Sequence, residues 1–219
     1  MKKLKQIPRG AIIPFAGHEW IVLEHDGTTT RVLMKDILEN RAFDDGNDAD
    51  WRESSARGYL NGAFLDNLQD AAGDHSGSIL PHACDLTAAD GTFRETSTDT
   101  VSLLTLDEYR RNRDVIEPID AWWWLITRDS ASHSYGVRRV STDGSLNYGS
   151  ACYGHYGLRP ALTLDSELLI SDDSDVTAEE AVEAAKALAE EWNRSRYTVE
   201  QIADALAAFA RLLKEDINE

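Results

Sequence analysis

Cysteine is scarce in this chain: Cys84 and Cys152 are the only two in 219 residues. Two thiols make neither a disulfide scaffold nor a zinc site, and they suit a reducing cytoplasm or a virion. Long apolar runs are missing too. No stretch approaches the roughly 18 residues a membrane helix needs, so no membrane insertion is expected. The basic start, MKKLKQIPRG, has no apolar region behind it, which predicts no secretory signal. Positive charge is in short supply: 22 Lys and Arg against 39 Asp and Glu give −17. Such a chain is repelled by phosphate backbones, so nucleic-acid binding is not expected, and an anionic membrane surface is disfavoured for the same reason. The six scattered histidines show no H-x-x-x-H or related metal-ligand spacing. No cofactor motif is evident.

The remaining composition is globular, 42% hydrophobic and 28% charged. Glycine and proline are confined to residues 1–170, which hold all 14 Gly and all five Pro. Residues 171–219 lack both and are rich in Ala, Leu and Glu. Ser171–Asp175 reads as an acidic linker between a body, 1–170, and a tail. In the tail Thr177 with Glu180 and Thr198 with Gln201 form two capping boxes. Ala178, Ala181, Ala185, Leu188 and Trp192 recur at helical spacing, as do Val199, Ile202, Leu206, Phe209 and Leu213. This predicts an α-helical hairpin. Its apolar seams either pack on the body, self-associate through residues 176–217, or take another protein.

The body predicts short strands: Ile12–Phe15, His18–Leu23 and Thr30–Met34 as an antiparallel meander, with turns at Ala16-Gly17 and Asp26-Gly27. Asp50–Leu68 reads as helical, with Leu60, Phe64 and Leu68 on one face and Ser54 or Ser55 as the cap. Residues 70–100 read as irregular. Val101–Thr105 is a short strand, followed by one or two helical turns over Leu106–Arg113. Trp122-Trp123-Trp124 with Leu125-Ile126 reads as a strand buried on both faces. Tyr135–Val140 and Ser145–Tyr148, around Thr142-Asp143-Gly144, form a hairpin. Gly157–Leu162 is the final strand, with Pro160 at an edge or bulge. Trp20, Trp51, Trp123 and Trp124 belong in the core. Arg57 and Arg159 read as architecture, Arg159 holding a carboxylate or carbonyls. Asn61 satisfies backbone groups in a turn.

Five pieces in order carry a resemblance: Gly10-x-x-Ile13-x-Phe15 with Trp20, Val22 and Leu23; Trp51-Arg52-Glu53-Ser54-Ser55-Ala56-Arg57-Gly58-Tyr59-Leu60-Asn61; Val101–Thr105; Trp123-Trp124-Leu125-Ile126-Thr127; and Gly157-Leu158-Arg159-Pro160-Ala161-Leu162. Over roughly 8–170 this resembles an uncharacterised domain family common in Firmicutes genomes and their prophages. That family looks like a branch of the C-type-lectin-like fold. The fold also serves the variable proteins of diversity-generating retroelements and the formylglycine-generating enzymes. The family's W-W-L-R-S is Trp123-Trp124-Leu125-Ile126-Thr127 here, with Arg128 displaced, and Tyr59 stands for the usual Trp. The resemblance implies an α+β body with mainly antiparallel short strands and two short helices.

The segment Ser130–Tyr156, SASHSYGVRRVSTDGSLNYGSACYGHY, is the candidate site. Its Ser, Tyr, Gly, Asn and His content matches recognition loops, where Tyr supplies rigid contact area and Ser and Gly adapt. The binding reading assigns Ser132, His133, Tyr135, Arg138, Asn147, Tyr148, Ser150, Cys152, Tyr153, His155 and Tyr156 to a ligand surface. In retroelement-diversified proteins of this fold the variable positions lie just before the last strand. Asn147, Tyr148, Ser150, Cys152, Tyr153, His155 and Tyr156 are types reachable by mutating adenines in Asn codons. The bland reading is an ordinary polar hairpin and loop.

A formylglycine-type enzyme needs a reactive cysteine pair in this part of the fold, and only Cys152 is there, so no catalytic residue is assigned. Cys152 near His155 is a candidate activated thiol only in principle. Asp44–Asp50 is rich in hard oxygen donors but does not match a calcium loop, so no metal ligand is assigned. The sequence therefore points to a binding module of phage or prophage origin that takes a protein or glycan ligand on a cell surface, working as an oligomer through its tail. The alternative is a structural or interaction subunit with no diversified site.

Overall fold

The computed structural model describes residues 1–170. The acidic linker and helical hairpin expected over 171–219 lie outside the described residues. The described part is mixed α and β, with mostly antiparallel strands and a few short helices.

The N-terminal meander forms as its alternation requires. Ile12–Phe15, His18–Asp26 and Thr29–Met34 pair antiparallel in that order. The first turn needs left-handed backbone at both central residues. Ala16 (φ 49°) and Gly17 (φ 76°) supply it, matching the twist of the flanking strands. Thr29–Met34 pairs on its other side with Ala161–Asp165, which in turn takes Ile79–Leu80 and Val101–Ser102. These six strands form the first sheet.

The second sheet has five strands: Leu146–Ser150, His133–Val140, Trp123–Ser130, Gly157–Leu158 and Glu39–Asn40, in that spatial order. Its pairs are antiparallel except that of Trp123 with Gly157. The stretch expected as one final strand is therefore two. The chain leaves the second sheet after Leu158 and enters the first at Ala161. Pro160, which has no N–H for a ladder, stands at the crossing. Arg159 is buried there and donates to the carbonyls of Met34 (2.8 Å) and Lys35 (2.6 Å). Of the two expected partners, carbonyls take it, and among the described residues no carboxylate does. Burial pushes its pKa down to about 10. A later strand, Leu169–Ile170, pairs with Lys2–Lys3 and joins the two ends of the body.

Two apolar cores form, and the tryptophan strand serves both. Trp124 and Ile126 join Phe43, Trp51 and Val137, whereas Trp123 and Leu125 join Tyr109, Ile21 and Val140. Alternation along a strand forces this split. Trp122 departs from the expected buried strand: it lies before the strand and is 40% exposed.

The expected helix over Asp50–Leu68 is interrupted. Asp50 caps a turn at Trp51–Glu53, and Ser54 Oγ accepts from Arg57 N to start Ser55–Tyr59. A wide turn at Leu60–Phe64 contains Gly62 in a non-helical conformation, and Leu65–Ala72 completes the run. Leu60, Phe64 and Leu68 are buried as their spacing predicts. Asn61 Oδ1 accepts from the amides of Thr100 and Val101, and its Nδ2 donates to Val101 O, so it satisfies backbone as expected.

Residues 70–100 are more regular than their sequence suggests. His82–Asp85 and Thr96–Asp99 form an antiparallel pair. These strands carry little apolar alternation, and their anchor is polar instead. Asp99 accepts from Trp51 Nε1 (2.9 Å), Arg57 Nε (2.6 Å) and Ser97 Oγ (2.6 Å). No helix among the described residues is long and apolar enough to cross a membrane.

Candidate functional site

The hairpin His133–Val140 and Leu146–Ser150 turns at Gly144 (φ 75°), with Asp143 Oδ1 accepting from Ser145 N. Its register sets Arg138 opposite Tyr148 and Arg139 opposite Asn147. Neighbouring residues of a strand point to opposite faces, so the candidate residues divide between two faces of the sheet.

On one face Asp129 holds Arg138 Nη2 (2.7 Å) and His133 Nδ1 (3.2 Å). The His133 ring stacks against Tyr148 (6.3 Å, 21°) and lies 6.0 Å from Tyr135. Gly136 leaves room for Asp129: a Cβ there would sit 3.2 Å from Asp129 Cβ and push it back by a few tenths of an ångström.

On the other face the Arg139 guanidinium lies over the corner where Trp122 (4.2 Å) and Tyr156 (4.8 Å) meet, their rings 5.3 Å apart. Tyr156 packs edge-on against Trp124 (4.7 Å) and carries His155 (4.4 Å). Tyr153 then stacks on His155 (5.4 Å, 27°). Gly149 permits this stack, since a Cβ there would sit 2.6 Å from Tyr156 Cε2.

Exposure sorts the candidates. Among the described residues, the exposed large aromatics are Trp122 (40%), Tyr135 (46%), Tyr148 (47%) and Tyr153 (44%), and all four belong to this region. Ser132, His133, Asn147, Cys152 and His155 are exposed as well. Tyr156 corrects its assignment to the ligand surface: at 4% exposure it is a floor under the other rings. Cys152 has Ser150 Oγ (3.7 Å) as its polar neighbour, and among the described residues no base contacts its sulfur. The in-principle activated thiol thus lacks its partner.

The acidic loop turns out to be the brace of this surface. Asp44 accepts from the amides of Asp48 and Ser55, Asp48 from that of Asp50, and Asp50 from Arg52. Its carboxylates thus hold local backbone, and no group of three metal-ligating side chains occurs among the described residues. Asn47, in the left-handed region (φ 63°), accepts Ser150 Oγ (2.8 Å) and Cys152 N (3.2 Å) on one Oδ1. Ala49 N donates to Ser134 O and Asp44 N to Ala151 O. Nothing in a polar acidic run announces this docking in sequence. Trp122, Asp129, Arg139 and Asn47 are the residues sequence reasoning missed. For Trp122 there was no sequence signal, because a strand buried on both faces can hold three successive tryptophans.

A cleft of about 270 Å³ lies elsewhere, lined by His82, Thr105, Leu106, Glu108 and Thr127 among others. Its buried carboxylate, Glu108, is held by Arg31 Nε (2.9 Å), Thr105 N (2.7 Å) and His82 Nε2 (3.3 Å). His82 Nδ1 is engaged by Thr163 Oγ1 (3.1 Å). Both imidazole nitrogens are taken, so this set reads as a structural knot rather than an acid–base centre.

A family model described as Domain of unknown function (DUF6273) matches residues 84–166, and over that stretch the chain is similar to it. The match spans the tryptophan strand, the hairpin and the crossing at Arg159-Pro160. No curated protein and no solved structure matches the chain.

Proposed function

We propose that this protein is a ligand-binding module that recognises a protein or glycan on a cell surface through Ser130–Tyr156 and the adjoining Trp122. One observation carries the reading: the exposed aromatics of the described body gather in this one region, Trp122 and Tyr153 beside the buried rings of Tyr156 and Trp124, Tyr135 and Tyr148 around His133. Rigid, amphipathic rings on a braced scaffold bind at low entropic cost. We assign the body to the C-type-lectin-like class. The short, mostly antiparallel strands in two sheets and the pairing of Lys2–Lys3 with Leu169–Ile170 support that assignment. In this reading Asn147, Tyr148, Ser150, Cys152, Tyr153 and His155 are the positions a retroelement would vary, and buried Tyr156 is not. The phage or prophage origin and self-association through residues 176–217 belong to the same proposal, and several copies would raise avidity.

The test is binding of the full chain to a glycan array and to intact bacterial cells, beside Tyr148→Ala and Tyr153→Ala. The expected result is wild-type binding that either variant reduces while its melting temperature stays within a few degrees. Variants that bind like the parent, or a wild type that binds nothing on either panel, overturn the reading. Light scattering with and without residues 171–219 reads the assembly.

A further inference from the structure

Three arginines are buried among the described residues: Arg31, Arg139 and Arg159. Arg31 is paired with Glu108, and Arg159 binds two carbonyls. Arg139, 7% exposed, has neither. Its one hydrogen bond to the described residues runs from Nη1 to Ser141 Oγ (3.1 Å). Nε is sealed from solvent without a partner, whereas Nη2 is neither hydrogen-bonded nor sealed. Of the three, it is the one whose guanidinium has neither a carboxylate nor backbone carbonyls among the described residues. Burying an uncompensated charge is costly, and the faces of Trp122 and Tyr156 offset only part of it.

The surroundings of this cation suit a particular ligand. Exposed Asn147 stands directly opposite in the ladder and offers an amide. Trp122 is the partly exposed ring over the guanidinium, and the Tyr153–His155 stack extends the wall from Tyr156. We propose that Arg139 is the anchor of a subsite for the carboxylate of an acidic sugar. The carboxylate would meet the guanidinium, a pyranose face would lie on Trp122 or Tyr153, and Asn147 and His155 would take ring hydroxyls. Flat exposed rings beside an amide and an imidazole favour a saccharide over an acidic peptide. The inference rests on the binding-module reading and deepens it. The acid of the hairpin's other face, Asp129, is already neutralised by Arg138.

Calorimetric titration of the full chain decides it, with sialyllactose and trigalacturonate as probes, lactose and galactotriose as uncharged counterparts, and a hexaglutamate peptide. An acidic saccharide should bind at least about tenfold tighter than its neutral counterpart, the scale of one charge-assisted hydrogen bond. Arg139→Gln should erase that preference and Arg139→Lys keep part of it, while Tyr153→Ala weakens acidic and neutral sugars alike. Should Arg139→Gln fail to fold, the wild-type comparison and Arg139→Lys still decide. Equal affinity for acidic and neutral sugars, or a folded Arg139→Gln that keeps the preference, overturns the subsite but leaves the binding module standing. Binding of hexaglutamate in place of the saccharides overturns it too. Failure to bind any of these probes removes the acidic-sugar assignment, and binding on the wider array then tells whether the module survives.

Discussion

Arg31 and Glu108 form a buried ion pair, Nε to Oε1 at 2.9 Å, that ties the centre of the first sheet to the start of the Leu106–Asn112 helix. Glu108 also closes a capping box with Thr105. Burial alone pushes its carboxyl up, but the Arg31 charge, the His82 hydrogen bond and the Thr105 amide outweigh it and hold the pKa well below the ordinary 4.5. A depressed folded-state pKa gives stability that is fully present above the unfolded value. That stability is lost as pH falls through the folded one. Wild-type melting temperature should therefore fall as pH drops below about 4.5, and Glu108→Gln should flatten that slope. At neutral pH, Glu108→Gln or Arg31→Met alone should cost about 3–5 kcal/mol in denaturant titration, whereas Arg31→Met with Glu108→Leu should recover most of it. Singles as stable as the parent would show the pair to be idle.

Gly149 and Tyr148 are neighbours with opposite consequences. Gly149→Ala drives a methyl into Tyr156, 2.6 Å from Cε2, and the ring beneath the site has to move. The expected cost is about 1–3 kcal/mol together with loss of ligand binding. Tyr148→Ala removes an exposed ring and should change stability by about 0.5 kcal/mol or less while still weakening binding. Paired melts and binding curves separate floor from surface.

The two thiols should react at different rates. Cys84 is buried, and burial pushes its pKa up to about 11. Cys152 is exposed. Iodoacetamide on the native protein should label Cys152 at the rate of an ordinary free thiol, with Cys84 modified only after denaturation, as peptide mass spectrometry would read. Faster labelling at Cys152 would reopen the activated-thiol reading.

Sequence showed the fold best where one local signal sufficed. The meander followed from alternation and two turn dipeptides, and the hairpin from Thr142-Asp143-Gly144. Tryptophan burial followed from apolar content, and Trp122 escaped because it stands one residue before the strand. The pair His82–Asp85 with Thr96–Asp99 stayed hidden because Asp99 gathers Trp51, Arg57 and Ser97 through hydrogen bonds that composition does not reveal. The single strand expected at Gly157–Leu162 concealed a change of sheet, which only long-range pairing with Glu39–Asn40 and Thr29–Met34 decides. The candidate segment was legible as a unit. Its division into an Asp129 face and an Arg139 face was not, since that depends on register.

Asn47 gives the sharpest test of whether the acidic loop positions the recognition surface. It does two separable things: it adopts φ 63°, and its Oδ1 holds Ser150 Oγ and Cys152 N. Asn47→Gly keeps the left-handed backbone at no steric cost but removes both bonds. Asn47→Ala removes the bonds and strains the backbone as well. If the side chain is the brace, Asn47→Gly should lose about 1–2 kcal/mol. Amide exchange at Cys152 should quicken and ligand affinity should fall, with Asn47→Ala costing about 1 kcal/mol more. If the backbone turn alone matters, Asn47→Gly should match wild type in exchange and binding, and only Asn47→Ala should suffer. Hydrogen exchange at Ser150–Cys152 is the deciding measurement, because it reports the tether directly and needs no ligand.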